Sequence, residues 1–532
     1  MPGVLVVGAG PTGLTLALQL ARYGVPVRII DAAYSPAMES RALGIQARTL
    51  ELFERMDVIA PFLERGLRYR QVFVHSERKQ IVHETLEQIR SRYNYLLAIP
   101  QNETERILWE RLRSLDVNVE RGLRLVYFEQ DPSKVRVHLR GSDGDSNAEF
   151  SYVVGCDGAH STVRHVLDVP FTGTQIPDSF ALADLTIDVD LPRDAISVYL
   201  VGGNIAAIFP LPKDLWRVII ERIGGFESAP SLDDFRSALY LGGVQAQGYG
   251  DPVWVAQFSI NQRRVASMAK GRVFLAGDAS HIHSPIGAQG MNTGIQDAEN
   301  LAWKLALTYR YGASESLLAS YAIERQSVAA RLVRATGSFT KLVASRSPAV
   351  RAVRDHLAAF ATSIPAVSDR FRDAISELDI IYERSPAVAA GGHTPNPRPG
   401  AHAPDASLVF AENGERTSLF ALMASLRYVL LVFTYRRDQF VHETLVALER
   451  YGRLVQMCLV VRDPSVAGAH LLDPTGTAFR TYGVDGEPQY VLIRPDGYVG
   501  ARGALRDYGR LLAYLDGMFK DAEAPESTAG KP

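Results

Sequence analysis

The amino-acid sequence predicts an α/β fold with three units: a Rossmann-like domain, an inserted antiparallel-sheet domain and a separate C-terminal α/β domain. Three observations predict it. The chain opens with an apolar run, a glycine-rich turn and a helical segment that leads to a second apolar run. Later stretches place strand-forming residues between Gly and Pro turns, and a segment crowded with Pro, Gly and Ala precedes the C-terminal part.

The opening element reads as a strand, a helix and a second strand. Val4–Val7 and Val27–Ile30 are short apolar runs, and Leu14–Tyr23 between them carries helix-forming residues closed by Gly24. Parallel strands need a crossover connection, usually a helix. This spacing therefore predicts a βαβ unit.

The middle of the chain favours strands and then helices. Strand-forming residues lie between Val72 and Leu97 and from Ala181 to Glu221, which predicts an antiparallel sheet as the floor of a pocket. Val273–Ala276 predicts another buried strand. Apolar residues at helical spacing predict a long helix from Met291 to Arg310 and further helix to about Phe371.

The segment Ser385–Asp405 carries the clearest linker signal, because Pro, Gly and Ala crowd it. Beyond it, predicted strands alternate with helical segments, which indicates a small α/β domain. The last residues lack apolar content and predict a disordered tail. We assign the domains as 1–71, 98–178 and 265–384 for the first domain with its helices, 72–97 and 179–264 for the sheet domain, 385–405 for the linker, 406–520 for the C-terminal domain and 521–532 for the tail.

Composition excludes several classes of function. The 57 basic and 59 acidic residues nearly cancel, and no Lys/Arg-rich block is present, so nucleic-acid binding is not expected. Cys156 and Cys458 lie far apart without a CxxC pair, which argues against a disulfide framework or a zinc site. No apolar stretch reaches the roughly 18 residues of a membrane helix, and no basic leader opens the chain. We expect a soluble cytoplasmic protein without a membrane partner.

A glycine motif stands where the first strand turns into the helix. Gly8, Gly10 and Gly13 form a GxGxxG pattern that lets the backbone approach a pyrophosphate, whose charge the helix N-terminus stabilises. Asp31 ends the second strand, at the spacing where a carboxylate accepts hydrogen bonds from a ribose. Together they predict dinucleotide binding, although the glycines alone do not separate NAD from FAD.

Two further segments favour FAD. Residues 155–164 read GCDGAHSTVR and contain a DGxxSxxR pattern, and residues 271–301 read GRVFLAGDASHIHSPIGAQGMNTGIQDAENL. With these motifs the sequence resembles the single-component flavin-dependent aromatic hydroxylases, the family of para-hydroxybenzoate hydroxylase, phenol hydroxylase and the aromatic polyketide hydroxylases. The resemblance covers essentially the whole chain. It implies a Rossmann-like FAD-binding domain, an inserted antiparallel-sheet substrate domain and a C-terminal thioredoxin-like domain that lacks the CxxC motif.

The resemblance also implies residue roles in both segments. Asp278 would bond the ribitol or ribose of FAD, and Asp157 and Arg164 would order the cleft that FAD and NAD(P)H share. The family usually has glycine at the position of Ala288, which adds a methyl group near the flavin.

The start of the long helix has a physical use at such a site. We expect the backbone N–H groups of Gly290, Met291 and Asn292 to point at the isoalloxazine. Reduced flavin is anionic, and a helix N-terminus with unpaired N–H donors stabilises an anion. This placement would favour flavin reduction.

Other residues are assigned with alternatives left open. Arg41 matches the family's arginine near the FAD pyrophosphate and Gln101 its flavin-contacting glutamine, with ordinary surface polar roles as the alternative. Pro285, in the loop between Gly277-Asp278 and the long helix, is the candidate for a residue close to the flavin ring. His281 and His283 form an HxH pair, but no third ligand candidate lies nearby in sequence, so no metal is expected.

The implied function is an FAD-dependent monooxygenase that uses NADPH or NADH and O2 to hydroxylate a phenolic or polyketide-type aromatic substrate through a C4a-hydroperoxyflavin. The sequence has no second glycine fingerprint, so we expect the nicotinamide co-substrate to bind transiently. The protein's part is to orient the ring and exclude water, and we assign no general base. The pocket candidates, each with core packing as the alternative role, are Tyr199, Phe209, Pro210 and Trp216.

Competing functions remain at this point. A Baeyer–Villiger or oxidative-rearrangement monooxygenase acting on a polyketide would carry the same motifs, and a flavoprotein that binds without turnover belongs to a different class. A flavin-dependent halogenase is disfavoured because the WxWxIP signature is missing. We expect a monomer or a homodimer, with the C-terminal domain in a structural role, as at a subunit interface.

Overall fold

The computed structural model of the chain describes residues 3–36, 42–222, 225–226, 229–283, 289–343, 364–390, 396–436 and 439–519, with the backbone alone at 175–178, 259–261 and 335–343. Among the predicted site residues, Arg41 and Pro285 lie outside these ranges, as do Ala288 and the tail at 521–532. Strands and helices are numbered below in chain order.

The strands of the first two domains are β1 Val4–Val7, β2 Val27–Asp31, β3 Gly44–Ile45, β4 Leu67–Tyr69, β5 Gln71–Ser76, β6 Lys79–Thr85, β7 Leu96–Ala98, β8 Val119–Arg121, β9 Arg124–Gln130, β10 Val135–Gly141, β11 Gly144–Phe150, β12 Tyr152–Gly155, β13 Phe171–Val189, β14 Ala195–Val201, β15 Asn204–Pro210, β16 Leu215–Arg222, β17 Ala246–Tyr249, β18 Trp254–Val265, β19 Ala269–Lys270, β20 Val273–Leu275 and β21 His281–Ile282. Those of the C-terminal domain are β22 Ser407–Phe410, β23 Arg416–Ser418, β24 Tyr428–Phe433, β25 Val455–Val461, β26 Leu471–Leu472, β27 Gln489–Ile493 and β28 Val499–Ala504. The helices are α1 Pro11–Arg22, α2 Ala47–Arg55, α3 Ile59–Arg65, α4 Gln101–Arg113, α5 Thr162–Val166, α6 Leu232–Gly242, α7 Gly290–Tyr311, α8 Glu315–Val343, α9 Pro365–Ser376, α10 Leu419–Leu422, α11 Gln439–Leu448, α12 Thr477–Thr481 and α13 Tyr508–Phe519.

The first sheet has the strand order β19-β20-β12-β1-β2-β8. β1 pairs in parallel with both β2 and β12, and all four of its residues are buried, as is typical of a parallel sheet covered on both faces. The connecting helix α1 begins at Pro11, whose fixed φ and missing N–H suit the first helical position. The βαβ unit predicted from the opening residues is confirmed.

A second, mostly antiparallel sheet has the order β21-β18-β13-β16-β15-β14-β5-β6, with β17 paired to β13. Helix α6 packs on one face of this sheet. The sheet extends beyond the range assigned from sequence, because β13 runs from Phe171 to Val189 across the predicted boundary at residue 178. The three-stranded sheets have the orders β11-β10-β9 and β3-β7-β4.

The C-terminal domain contains a sheet of order β23-β22-β26-β25-β24-β27-β28. It packs on the first domain through Trp303 of α7, whose ring meets that of Tyr428 edge-on at a centroid distance of 5.9 Å. The predicted linker also packs closely: Ala387 is fully buried, and Ala389 N donates to Gly500 O at 2.7 Å. In the part of the chain that the structure describes, no helix is long and apolar enough to cross a membrane.

Candidate functional site

The three glycines of the first motif differ in what the fold requires of them. A Cβ on Gly8 would lie 2.4 Å from the carbonyl oxygen of Cys156, and one on Gly13 would lie 1.9 Å from that of Gly8. The packing of the protein itself therefore excludes side chains at both positions. Among the described residues, a Cβ on Gly10, the N-cap of α1, would meet nothing within 4 Å. Gly10 thus borders open space at a helix N-terminus, where an anionic group is stabilised.

Asp31 lies at the end of β2 and organises the same turn. Its carboxylate accepts hydrogen bonds from the backbone N–H of Ala9 at 2.7 Å and of Ala33 at 2.8 Å. The side chain is half-buried. Asp31 therefore shapes the glycine turn and remains partly accessible to a ribose.

The DGxxSxxR segment places Asp157 and Arg164 beside the glycine turn. Asp157 Oδ2 accepts from Val163 N at 3.1 Å, and burial raises the pKa of this carboxyl above its ordinary value. Arg164 is 3% exposed and donates to the carbonyl oxygens of Ala159 at 2.8 Å and Ala279 at 3.0 Å. Its guanidinium also lies 4.1 Å from the ring centroid of Phe171. Arg164 therefore joins the DGxxSxxR segment to the residues around Gly277-Asp278, called the GD motif below.

Asp278 lies in a short 3-10 helix, Gly277–Ala279, that follows β20. Its side chain is exposed, although Gly277 and Ala279 on either side are buried. A Cβ on Gly277 would lie 2.6 Å from Thr12 Oγ1, and one on Gly294 would lie 2.4 Å from the same atom. The two glycines thus let α1, the 3-10 helix and α7 approach closely.

The N-terminus of α7 opens toward the same region. Within the described residues, the side chain of its N-cap, Gln289, makes no capping hydrogen bond, and Gly290 and Met291 are half-buried. Asn292 is fully buried; its Oδ1 accepts from Gln46 N at 3.0 Å and its Nδ2 donates to Gly44 O at 2.8 Å. The Asn292 side chain therefore anchors α7 to β3, and Gly290 and Met291 stay nearer the open side.

Gln101 is the first residue of α4 and lies beside Ala42. Its Oε1 accepts from Ala42 N at 3.4 Å, and its Nε2 donates to Glu105 at 2.9 Å. Burial raises the pKa of the Glu105 carboxyl. Gln101 is thus held between Ala42 and Glu105.

A buried ionic cluster, which the sequence did not reveal, holds the start of the 3-10 helix that carries Asp278. Asp297 of α7 accepts from Gly277 N at 3.0 Å and from His281 Nε2 at 2.8 Å through one oxygen, and from Arg325 Nε at 2.6 Å through the other. Burial acts to raise the pKa of Asp297, but Arg325 and His281 outweigh it and hold the pKa below its ordinary value. The carboxylate is therefore ionised and fixes the residue before Asp278.

The pocket candidates separate onto the two faces of the second sheet. Tyr199 and Trp216 are buried in the apolar core between the sheet and α6, which is the core-packing alternative given for them. Phe209 lies on the opposite face and packs against the core that the sheet shares with the first domain. Pro210 ends β15, where its carbonyl oxygen accepts from the Tyr69 hydroxyl.

Pairing register identifies further residues on the face of Phe209. Leu182 and Ala207 both stand opposite Ile219, and the Phe180 ring stacks on that of Phe258 at a centroid distance of 5.7 Å. Strand alternation puts these side chains on one face, away from α6. This face is therefore apolar and aromatic at these positions, with the buried Glu221 opposite Phe180, and its Phe209 packs against the first domain.

An ion pair lies at one edge of this apolar face. Arg217 donates to Asp184 through two hydrogen bonds of 2.7 and 2.8 Å, and Trp254 Nε1 donates to the same carboxylate at 2.9 Å. Because both charged partners are buried and bonded to each other, they form a polar edge to the sheet.

Both cysteines are free and buried, and burial raises the pKa of the Cys156 thiol well above its usual value. A raised thiol pKa disfavours the reactive thiolate. Among the described residues, no group of three His, Cys, Asp or Glu side chains is arranged to hold a metal ion.

Known protein families match two parts of this chain. Residues 2–336 match the FAD binding domain family, and residues 441–523 match the phenol hydroxylase C-terminal dimerisation domain. The chain is 35% identical to 6-methylpretetramide 4-monooxygenase of Streptomyces rimosus, over 99% of this chain and 95% of that protein. It is 30% identical to pentachlorophenol 4-monooxygenase of Sphingobium chlorophenolicum, over 97% and 96% respectively.

A solved structure shows the same overall fold. OxyS anhydrotetracycline hydroxylase from Streptomyces rimosus matches with a TM-score of 0.79 and 30% identity, over 97% of this chain and 99% of that chain. The resemblance and the fold class predicted from sequence are confirmed, and the second family match indicates oligomerisation. The chain belongs to the flavin-dependent aromatic hydroxylase family and is an oxidoreductase with an FAD-binding domain.

Proposed function

We propose that this enzyme uses FAD, NADPH or NADH, and O2 to hydroxylate a phenolic or polyketide-type aromatic substrate. The observation that carries the flavin site is Gly10, because no described residue stands within 4 Å of where its Cβ would be, whereas Gly8 and Gly13 are required by packing. The relatives are, by name, monooxygenases of 6-methylpretetramide and of pentachlorophenol, which supports an aromatic substrate.

The residues around the glycine turn fit FAD. The backbone at Gly10 would hold the pyrophosphate, Asp31 the adenosine ribose and Asp278 the ribityl chain, with Gln101 toward the flavin. When bound, FAD would supply the redox chemistry, accepting electrons from the nicotinamide and activating O2 for attack on the ring. The N-terminus of α7 would stabilise negative charge on the flavin.

The apolar sheet face fits a flat aromatic substrate. Phe180 and Phe258 stack at 5.7 Å, and Leu182, Ala207 and Ile219 extend the same face. Apolar and aromatic walls with a few fixed polar groups are typical of small-molecule sites, and the edge formed by Arg217 and Asp184 supplies such groups. We propose that this face orients the ring against the flavin and excludes water.

The C-terminal match supports a homodimer formed through residues 441–523. Neither cysteine of this chain provides a CxxC motif, so the domain's role is structural. Light scattering coupled to size exclusion tests this, and a monomer at micromolar concentration would contradict it.

The decisive experiment measures flavin and product together. Purified enzyme is mixed with NADPH or NADH in a stopped-flow instrument, with and without a panel of phenols and polycyclic aromatics, and the product is analysed after turnover in 18O2. Faster flavin reduction with one class of aromatic and one 18O atom in a phenolic hydroxyl support the proposal. A labelled lactone would instead indicate Baeyer–Villiger chemistry, and protein without flavin would overturn the proposal.

A further inference from the structure

A hairpin of the C-terminal domain inserts into the first domain. The tip, Arg494–Tyr498 between β27 and β28, turns at Gly497, whose φ is 83°. A Cβ on Gly497 would lie 2.5 Å from Nη1 of Arg55 and 3.3 Å from Nη2 of Arg48, both in α2. The tip therefore packs directly against α2 without room for a side chain.

Two arginines of α2 bind the backbone of the tip. Arg55 Nη2 donates to Pro495 O at 2.6 Å, and Arg48 donates to the carbonyl oxygen of Asp496. Both guanidinium groups are almost fully buried. The tip therefore accepts hydrogen bonds from two buried guanidinium groups whose charges are paired with carboxylates of the first domain.

Arg494 makes the main contact with α8. It is fully buried and donates to both oxygens of Glu324 at 2.7 and 3.0 Å, and its Nε donates to Asp496 at 3.0 Å. Lys304 of α7 donates to the same Glu324 carboxylate at 2.7 Å. Arg494 thus ties the C-terminal domain to both long helices.

The charges around the tip balance. The buried cations and anions are Arg48, Arg55, Lys304 and Arg494 on one side, and Glu51, Glu299, Glu324 and Asp496 on the other. Removing one member of such a cluster leaves an uncompensated buried charge, which the neighbouring helices must move to accommodate.

Buried contacts continue from the tip to the GD motif. The Arg494 guanidinium lies 5.2 Å from the ring centroid of Tyr382, whose hydroxyl accepts from Arg325 Nη1 at 3.0 Å. Arg325 follows Glu324 in α8 and binds Asp297 at 2.6 Å. Asp297 in turn accepts from the backbone N–H of Gly277 at 3.0 Å. Each step joins side chains that are buried.

We propose that Arg494 is a positioning residue for the flavin site: through Glu324, Tyr382 and the Asp297 cluster it holds α7 and the GD motif in the arrangement that binds FAD. The inference rests on the proposed flavin site. It gives the C-terminal domain a role in cofactor chemistry as well as in assembly.

The test uses full-length Arg494→Lys, which keeps the positive charge but loses the paired bonds to Glu324. Dissociation constants for oxidised FAD are measured by titration of apoprotein, and their ratio to those for reduced FAD is obtained from the midpoint potential. We expect weaker binding of oxidised FAD by roughly fivefold or more and a changed ratio, since coupled sites typically differ by that order.

Arg502→Lys is the matched control. Arg502 is a buried arginine of the same domain that donates to Pro397 O at 3.0 Å and Tyr482 O at 2.7 Å, away from α7 and α8. It should lower thermal stability without changing the ratio of FAD affinities. Tyr382→Phe, which removes only the hydroxyl bound by Arg325, should change the ratio in the same direction as Arg494→Lys but less, and it decides the matter if Arg494→Lys does not fold.

The outcomes are distinct. Wild-type protein that binds FAD, together with unchanged affinities in both Arg494→Lys and Tyr382→Phe, overturns the positioning role and leaves the proposed function intact. An equal change in Arg502→Lys also overturns it, because general loss of stability would then be the cause. Wild-type protein that binds no FAD overturns the proposed function itself.

Discussion

Arg164 donates a hydrogen bond of 3.0 Å to the carbonyl oxygen of Ala279, a residue 115 positions away in the sequence. Ala279 directly follows Asp278. The Nη2 of the same guanidinium donates to the carbonyl oxygen of Ala159 in the DGxxSxxR segment. A single buried side chain thus sets the distance between the two motifs that flank the proposed cofactor site.

Replacing this arginine should separate the motifs. Arg164→Met leaves the buried carbonyl oxygen of Ala279 and the half-buried one of Ala159 without their donor, so we expect the free energy of unfolding to fall by about 2–4 kcal/mol and FAD binding to weaken. Urea unfolding of apoprotein and FAD titration measure the two effects. The control Arg310→Met removes one bond to Tyr23 O at an exposed position and should cost less than ~1 kcal/mol. Equal losses in the two variants would contradict the role of Arg164.

Substitutions at two of the glycines distinguish an effect on folding from an effect on FAD binding. Gly10→Asn keeps a good N-cap residue, so apoprotein stability should change by no more than about 0.5 kcal/mol, while the side chain fills the space proposed for the pyrophosphate. Gly13→Ala places a Cβ 1.9 Å from a backbone oxygen and should destabilise the fold by roughly 2 kcal/mol or more. Flavin occupancy and unfolding of apoprotein distinguish them. Full occupancy in Gly10→Asn would show that the site lies elsewhere.

Asp278 should matter for the cofactor and little for the fold. Its side chain is exposed, so Asp278→Ala should unfold like wild type yet retain less flavin after gel filtration, by roughly tenfold in affinity, the scale of a lost charge-assisted hydrogen bond. Asp190→Ala, at another exposed side chain, should leave both properties unchanged. Retention of wild-type FAD affinity in Asp278→Ala would remove Asp278 from the site.

Glu377 should make stability depend on pH. Burial raises the pKa of this carboxyl to about 8, with Arg325 acting against burial and Gln296 bonded to the side chain. The folded state holds the proton up to about pH 8, whereas the unfolded state releases it near pH 4.5. The contribution of protonated Glu377 is thus complete below pH 4.5 and lost as pH rises to 8. Relative to Glu377→Gln, the wild-type free energy of unfolding should fall by on the order of 3 kcal/mol over that range. Parallel curves for the two proteins would contradict this.

Neighbouring positions of β16 should separate substrate selection from stability. Ile219→Phe adds bulk to the proposed pocket face and should lower kcat/KM for polycyclic substrates by roughly tenfold while affecting simple phenols less. Val218→Ala, on the face covered by α6, should cost about 1–3 kcal/mol of stability with kcat/KM nearly unchanged. Equal selectivity in Ile219→Phe and wild type would place the substrate elsewhere.

Local signals account for the parts of the fold that were predicted. The strand from Val4, the helix closed near Gly24 and the helix from Gly290 are each determined by a short apolar pattern and a glycine, and the structure has them within a few residues of the predicted bounds. Gly10 and Asp31 lie at one turn, and Asp278 follows a glycine that packs against Thr12 of α1. Each such signal lies within a few neighbouring positions of the chain.

Other features depend on contacts that sequence spacing does not carry. Tyr199 and Phe209 have the same local pattern, and only the position of α6 decides that the first lies in a core and the second on the opposite face. The cluster of His281, Asp297 and Arg325 joins three elements through buried charge, for which an isolated His or Arg gives no sign. Likewise, the Pro-rich composition of 385–405 indicates a linker, but not that it packs against the C-terminal sheet.

The inserted tip at Arg494–Tyr498 restricts which C-terminal domains of relatives can replace that of this protein. A chimera that takes its C-terminal domain from another family member would bring a new tip against Arg48, Arg55 and Glu324. Such a hybrid should fold only when the donor carries a cation at position 494 and an anion at position 496, or when the three facing residues are transferred with it. Recombination within this family is therefore expected to succeed by matched sets of charges, across a boundary that does not coincide with the linker.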